Sequence, residues 1–261
     1  MKFRVPILMY HHVEPKPLDP EPRFGESYLS RAELADQLDW LDDQGYNAIT
    51  LEEALRRHAT GTRRKHKSLV LTFDDGCRCF REHAVPELER RGMAATVFAV
   101  TDRVGGQNSW DLELGERLEH LMTAEELTDV GARGFEVGSH TQSHADLTKS
   151  GPQQLEREIL ASKEKLSALV GKSVETFCYP YARFSPAAVA VVRKAGYLGA
   201  VSVYGQSGAS QNDLFALPRT VVRPGTSRLE FKLQATGWYG AWQRLPSLGI
   251  LSQLRRRKKQ R

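Results

Sequence analysis

The chain has 261 residues, 40% of them hydrophobic and 26% charged, which suffices for one sizeable core and contains no apolar run of membrane-spanning length. Its formal charge of +5 is smaller than the contribution of Arg255, Arg256, Arg257, Lys258, Lys259 and Arg261 alone. The basicity is therefore a terminal tail and not a folded face, which argues against a nucleic-acid-binding domain, and three cysteines argue against a disulfide framework.

The segment Met1 to Tyr10 starts basic, but its apolar run is too short for a signal peptide and leads straight into His11-His12. The mature chain is expected to begin here and to work in the cytoplasm. Val5 to Tyr10 is the first strand candidate. Ser30-Arg31-Ala32-Glu33 then fits a capping box, in which hydroxyl and glutamate each satisfy an end amide, and Gly45 marks the helix stop. Tyr46 to Ile49 is the next strand, Thr50-Leu51-Glu52-Glu53 opens a helix that closes at Gly61, and Ser68 to Phe73 runs into Thr72-Phe73-Asp74-Asp75-Gly76. Cys77 and Cys79 follow. A lone C-x-C is weak evidence for a metal, and both are read as buried small hydrophobes.

After Gly92 comes a strand from Ala95 to Val100, then an insertion from Asp102 to Leu121 with Gly105-Gly106 and Trp110-Asp111, placed to lie over a site. Thr123-Ala124-Glu125-Glu126 starts another helix, and Phe135 to Ser139 is a strand that delivers His140-Thr141-Gln142-Ser143-His144. Between Leu155 and Leu169 the residues Leu155, Ile159, Leu166 and Leu169 share a face, so Glu156, Arg157, Glu158, Lys163, Glu164 and Lys165 are read as its solvated side, ending at Gly171. Val174 to Cys178, Leu198 to Val203 and Ala216 to Val222 complete the strands. Such alternation makes parallel βα units, and motifs spread over separate strands favour a closed (β/α)7-8 barrel over a doubly wound sheet.

The two motifs supply one ligating carboxylate, two imidazoles and a spare carboxylate. Neighbouring carboxylates at a strand end point in different directions, so Asp75 can ligate while Asp74 faces water. His140 and His144, four apart in a turn or first helical turn, present both rings to one side. Two imidazoles and a carboxylate suit Zn²⁺, with Co²⁺, Ni²⁺ or Fe²⁺ as substitutes, and leave room for water, as a hydrolytic site requires. Asp-Gly alone is a turn dipeptide, and a histidine pair alone is weak. Their coincidence at the ends of strand candidates carries the reading. Ser139 lacks a Gly-x-Ser-x-Gly elbow and is not read as a nucleophile.

In these motifs, their order and their separation, the chain resembles the polysaccharide deacetylase family of the NodB-homology type, carbohydrate esterase family four, from about Val5 to about Val222. The resemblance implies a deformed (β/α) barrel, a divalent metal held by Asp75, His140 and His144, and Asp74 as general base. The family's third motif, Arg-x-Pro-Tyr, reads Cys178-Tyr179-Pro180-Tyr181 here, so Cys178 stands where the arginine that orients the aspartate would be. Arg219 is the candidate replacement, with an ordinary rim arginine as the alternative. The catalytic histidine commonly found near the C-terminus is missing too, since no histidine follows His144. This resembles the permuted subgroup that includes poly-N-acetylglucosamine deacetylases, in which the first strand supplies it. That implies His11 as the acid, with His12 as a supporting or surface residue and the backbone N–H of Tyr181 as an oxyanion donor.

The implied activity is removal of the N-acetyl group from an amino sugar in a polysaccharide or a lipid-linked glycan. An amidohydrolase or deformylase acting on another amide, and a catalytically silent glycan-binding barrel, are the competing readings. Residues 1–236 form the expected barrel and 237–261 an aromatic and basic extension. Trp238, Tyr239, Trp242 and several leucines next to the cationic tail fit contact with an anionic membrane, at its cytoplasmic face, as well as they fit a terminal helix packed on the barrel.

Overall fold

In chain order the elements are β1 (Ile7–Tyr10), β2 (His12–Glu14), β3 (Tyr28–Ser30), α1 (Arg31–Asp43), β4 (Tyr46–Ile49), α2 (Leu51–Thr60), β5 (Lys67–Phe73), α3 (Val85–Glu89), β6 (Thr96–Ala99), α4 (Ala124–Ala132), β7 (Glu136–Ser139), α5 (Pro152–Glu156), α6 (Ser162–Val170), β8 (Thr176–Cys178), α7 (Pro186–Lys194), β9 (Gly199–Val203), β10 (Leu217–Val221) and α8 (Arg228–Ala235). The computed structural model describes residues 2–16, 27–62, 67–114 and 117–239.

The main sheet runs β1-β10-β9-β8-β7-β6-β5 and closes because β1 also pairs with β5, Ile7 opposite Val70 and Tyr10 opposite Phe73. All pairings are parallel, so this is a seven-stranded barrel, with β4 paired along the first half of β5, from Tyr46 opposite Lys67 to Ile49 opposite Val70. The closed α/β barrel expected from the sequence is the fold found. Its first strand is the exception to sequence order: β1 lies between β5 and β10.

Strand side chains alternate between two buried layers, as period-two geometry demands. Leu8, Tyr10, Leu69, Leu71, Phe73 and Val97 face the helices, in one core with Leu34, Leu38 and Leu41 of α1. Ile7, Val70, Phe98, Cys178, Val201 and Leu217 fill the barrel interior. Phe98 packs so closely there that a Cβ on Gly138 would lie 2.6 Å from its ring, which makes glycine obligatory on that strand. Truncating a ring this buried costs about 3–5 kcal/mol.

The capping boxes at Ser30/Glu33 and Thr123/Glu126 both form, and Gly61 and Gly171 end their helices in the left-handed conformation. At the start of α2 the Thr50 hydroxyl accepts from the Glu53 N–H, and buried Glu136 accepts the Glu52 N–H at 2.9 Å. Two features escaped the sequence reading. One is the parallel ribbon of β2 and β3, whose strands have three residues each and carry no legible period. The other is a pair of π turns, Phe80–Ala84 before α3 and Arg157–Ala161 between α5 and α6.

Trp238 is exposed, whereas Tyr239 is buried with its hydroxyl 3.0 Å from Glu230 Oε1. The rest of the aromatic and basic extension, and with it the membrane-contact reading, lies outside the described residues. No described helix is long and apolar enough to cross a membrane.

Candidate active site

The C-terminal ends of β1, β5, β7, β8 and β10 converge on an open cleft of about 370 Å³, lined by residues that include His11, Asp74, Asp75, His140, His144 and Arg219. The cleft is large enough for a drug-sized or saccharide ligand.

β5 ends at Phe73, and the chain turns through Asp75 at φ 72° and Gly76 at φ 73°. A left-handed non-glycine residue is strained, and it persists where the surroundings fix it. Here it swings the Asp75 carboxylate away from that of Asp74, so the two diverge through backbone handedness more than through simple strand alternation. The β7 motif turns similarly. Thr141 and His144 both have φ 67°, the His144 N–H donates to Thr141 Oγ1 at 2.9 Å, and the loop is a strained turn instead of a first helical turn.

The structure brings Asp75, His140 and His144 together. Asp75 Oδ1 lies 3.5 Å from Nε2 of each histidine, and all three side chains are buried. The Nδ1 of His140 lies 2.8 Å from the Cys178 carbonyl, which only accepts, so that nitrogen carries the proton. Burial lowers the pKa of His140 against the opposing pull of Asp74, and it lowers that of His144 further, with His140 adding to the effect. A neutral His140 therefore points a lone pair at a carboxylate oxygen. Acceptor facing acceptor at this range calls for a cation between them, and the donor set suits a transition metal ion.

Asp74 is held quite differently. Arg219, 1% exposed, donates from Nη1 to Asp74 Oδ1 at 2.6 Å and from Nη2 to Oδ2 at 2.7 Å. The same guanidinium donates to the Ser202 carbonyl, to Thr72 Oγ1 and, at 3.1 Å, to Cys178 Sγ. Arg219 is thus the replacement named from the sequence and not a rim arginine. Cys178, its thiol kept neutral by burial, makes room for it and adds an S···O contact of 3.6 Å to Asp74. Burial alone would raise the Asp74 pKa, but the charge and hydrogen bonds of Arg219 outweigh it, with His11 and His140 adding, and hold the carboxyl well below the usual range.

His11 Nε2 stands 4.0 Å from Asp74 Oδ2 with its side chain one quarter exposed. Burial lowers its pKa while Asp74 opposes that shift. Tyr181 follows Pro180 in a single 3-10 turn, at φ 56°, with its ring 4.7 Å from that of His144. His12 is not at the surface: it is buried and stacks on Tyr28 at 4.4 Å. Ser139 is buried and bonded to Ser162 Oγ at 2.9 Å, which fits its exclusion as a nucleophile.

Two residues of the site have roles that the sequence did not reveal. Trp110, in the insertion, stacks on His144 at 4.5 Å and 25°. Glu158, assigned to a solvated helix face, is in fact buried: its Oε2 accepts the N–H groups of Gln142 and Ser143 at 3.0 and 2.9 Å, and its Oε1 accepts the Ser143 hydroxyl at 2.6 Å. The π turn Arg157–Ala161 carries Glu158 and aims it at the loop between the two histidines.

A barrel rim with a histidine–carboxylate cluster beside a separately anchored aspartate defines a hydrolase-type site. The polysaccharide deacetylase family profile matches residues 61–200, and the chain belongs to that family. It is 27% identical over 229 residues to the putative polysaccharide deacetylase YxkH of Bacillus subtilis, covering 87% of this chain and 75% of that protein. It is 24% identical over 200 residues to the poly-beta-1,6-N-acetyl-D-glucosamine N-deacetylase of Staphylococcus aureus, covering 74% and 67% of the two chains. Among solved structures, the Streptococcus pyogenes deacetylase PplD superposes with a TM-score of 0.75 at 23% identity, covering 90% of this chain and 99% of that one, and it shares the fold.

Proposed function

We propose that this protein is a metal-dependent N-deacetylase of amino sugars in a glycan, with Zn²⁺ held by Asp75, His140 and His144. The observation that carries the reading is the facing pair of acceptors, His140 Nε2 and Asp75 Oδ1 at 3.5 Å, beside an aspartate that Arg219 keeps ionised. When bound, the ion would polarise the amide carbonyl and lower the pKa of water at the site toward about 7. Asp74 takes the proton of the attacking water. Its ionisation is secured by Arg219, and so is its orientation, while the same contact limits its basicity. His11 holds a proton at Nε2 and delivers it to the amine nitrogen as the C–N bond breaks, so that acetate and a free amino sugar leave. The Tyr181 backbone N–H is the proposed oxyanion donor.

Support for a glycan substrate comes from the family, from the S. aureus relative and from the aromatic wall of the cleft, Tyr28, Trp110 and Tyr181. Acetate release from β-1,6- and β-1,4-linked N-acetylglucosamine oligomers, with and without a chelator, tests the reading. Chelator-sensitive release is expected. Release only from small amides or formamides, or none from any substrate, would refute it.

A further inference from the structure

Behind the Asp74-Asp75-Gly76 turn lies a second cluster, built from residues that the proposed hydrolysis does not use. Cys77 and Cys79 come from the chain just beyond the turn and His12 from β2, and the cluster is buried, with exposures of 1%, 6% and 4%. One ligand atom from each, two sulfurs and an imidazole nitrogen, falls within 4.8 Å of the others, and His12 Nδ1 lies 3.9 Å from Cys79 Sγ. We propose that His12, Cys77 and Cys79 form a second, structural metal site for a thiophilic d10 cation, Zn²⁺ or Cu⁺.

Three observations carry it. The donor set is soft, and thiolate with imidazole selects those cations over Mg²⁺ or Ca²⁺. Both sulfurs accept main-chain amides, Cys79 N–H to Cys77 Sγ at 3.3 Å and Val13 N–H to Cys79 Sγ at 3.4 Å. Amide donors favour the charged form of a sulfur and orient it, which suits a metal thiolate better than a thiol packed for its bulk. Finally, the His12 ring is locked by its stack on Tyr28, 4.4 Å between centroids and 16° between planes. His12 and Tyr28 also line the cleft, so an ion has a route in. Binding would release the two thiol protons to solvent, and the bound ion would tie the β2–β3 ribbon to the loop bearing Asp74 and Asp75.

The site shares no residue with Asp75, His140 and His144, so the two can be read separately. Co²⁺ added to the reduced full-length protein should give a sulfur-to-cobalt charge-transfer band, which an oxygen-and-imidazole site lacks. The band should persist in Asp75→Ala and vanish in Cys77→Ser/Cys79→Ser, with loss of one equivalent of bound metal. Should the double variant fail to fold, His12→Asn should weaken the band while retaining the cysteines. A Cu⁺ arm, in competition with a Cu⁺-specific chelator, distinguishes the two cations, and retention of either supports the site. No thiolate band together with no retained Cu⁺, or a Cys77–Cys79 disulfide in the unreduced protein by mass, would overturn it.

Discussion

Arg219 grips both carboxylate oxygens of Asp74 from the last strand of the ring, 145 residues away in sequence, in a pocket where both side chains are nearly solvent-free. Taking away one partner leaves a buried charge unpaired, at a cost of about 3–5 kcal/mol. Arg219→Met should therefore lower the melting temperature and cut kcat by about 10²-fold or more, because Asp74 loses both its orientation and its assured ionisation. Arg219→Lys keeps the charge without the two-pronged geometry, so it should recover stability more than rate. Thermal melts alongside kcat measure both.

The depressed pKa of Asp74 gives a pH dependence of fixed sign. A carboxyl whose folded pKa lies below its unfolded value stabilises the fold above the unfolded pKa, about 4, and that contribution fades as pH falls toward the folded pKa. Acid titration of the wild type should show a loss of stability below about pH 4 that is smaller in Asp74→Asn. It follows that Asp74 stays ionised across the neutral range, and any activity limb there belongs to another group.

His11 is the group expected to produce a limb, and because burial lowers its pKa the limb should lie on the acid side of neutrality, with activity falling as pH rises through it. His11→Asn should reduce kcat by about 10²-fold or more with metal content unchanged, since the side chain faces Asp74 and not the three-residue cluster. Elemental analysis together with the rate decides it. Unchanged kcat would remove His11 from the mechanism.

Metal removal should act on stability as well as rate. A ligand that binds only the folded state stabilises it by about 2.7 kcal/mol at a hundredfold excess over Kd. A chelator should then lower the melting temperature of the wild type, and the shift should shrink in His144→Ala, which lacks one of the proposed ligands.

Glu158 supports the turn between the two histidines through its contacts to Gln142 and Ser143. Glu158→Gln keeps the shape but weakens the acceptor, and metal affinity is expected to fall by about 10–100-fold, measured by competition with a calibrated chelator.

Much of the site was legible because its parts are short contiguous motifs at strand ends: Asp74-Asp75, His140 to His144, and His11 after the first strand. The barrel followed from alternating elements with clear caps. Arg219 could be named only as a candidate, because whether it reaches Asp74 depends on how β10 and β5 are placed around the ring. Glu158 was misread because helical periodicity put it outward, and a π turn breaks that period by one residue. His12 was taken for a supporting or surface residue because β2 and β3 are too short to show a pattern, and only their pairing buries it. The left-handed backbone at Asp75 and His144 runs against the preference of non-glycine residues, so no local rule supplies it.

With β1 lodged between β5 and β10, the ring would read in unbroken chain order if the opening segment were transplanted to follow β10. His11 would then come near the end of the polypeptide, the position that the family resemblance leads one to expect for the catalytic histidine. On the proposed assignment of His11 as the acid, the missing C-terminal histidine is a matter of strand order. A circular permutant joined in that way should rebuild the same rim from a rearranged gene.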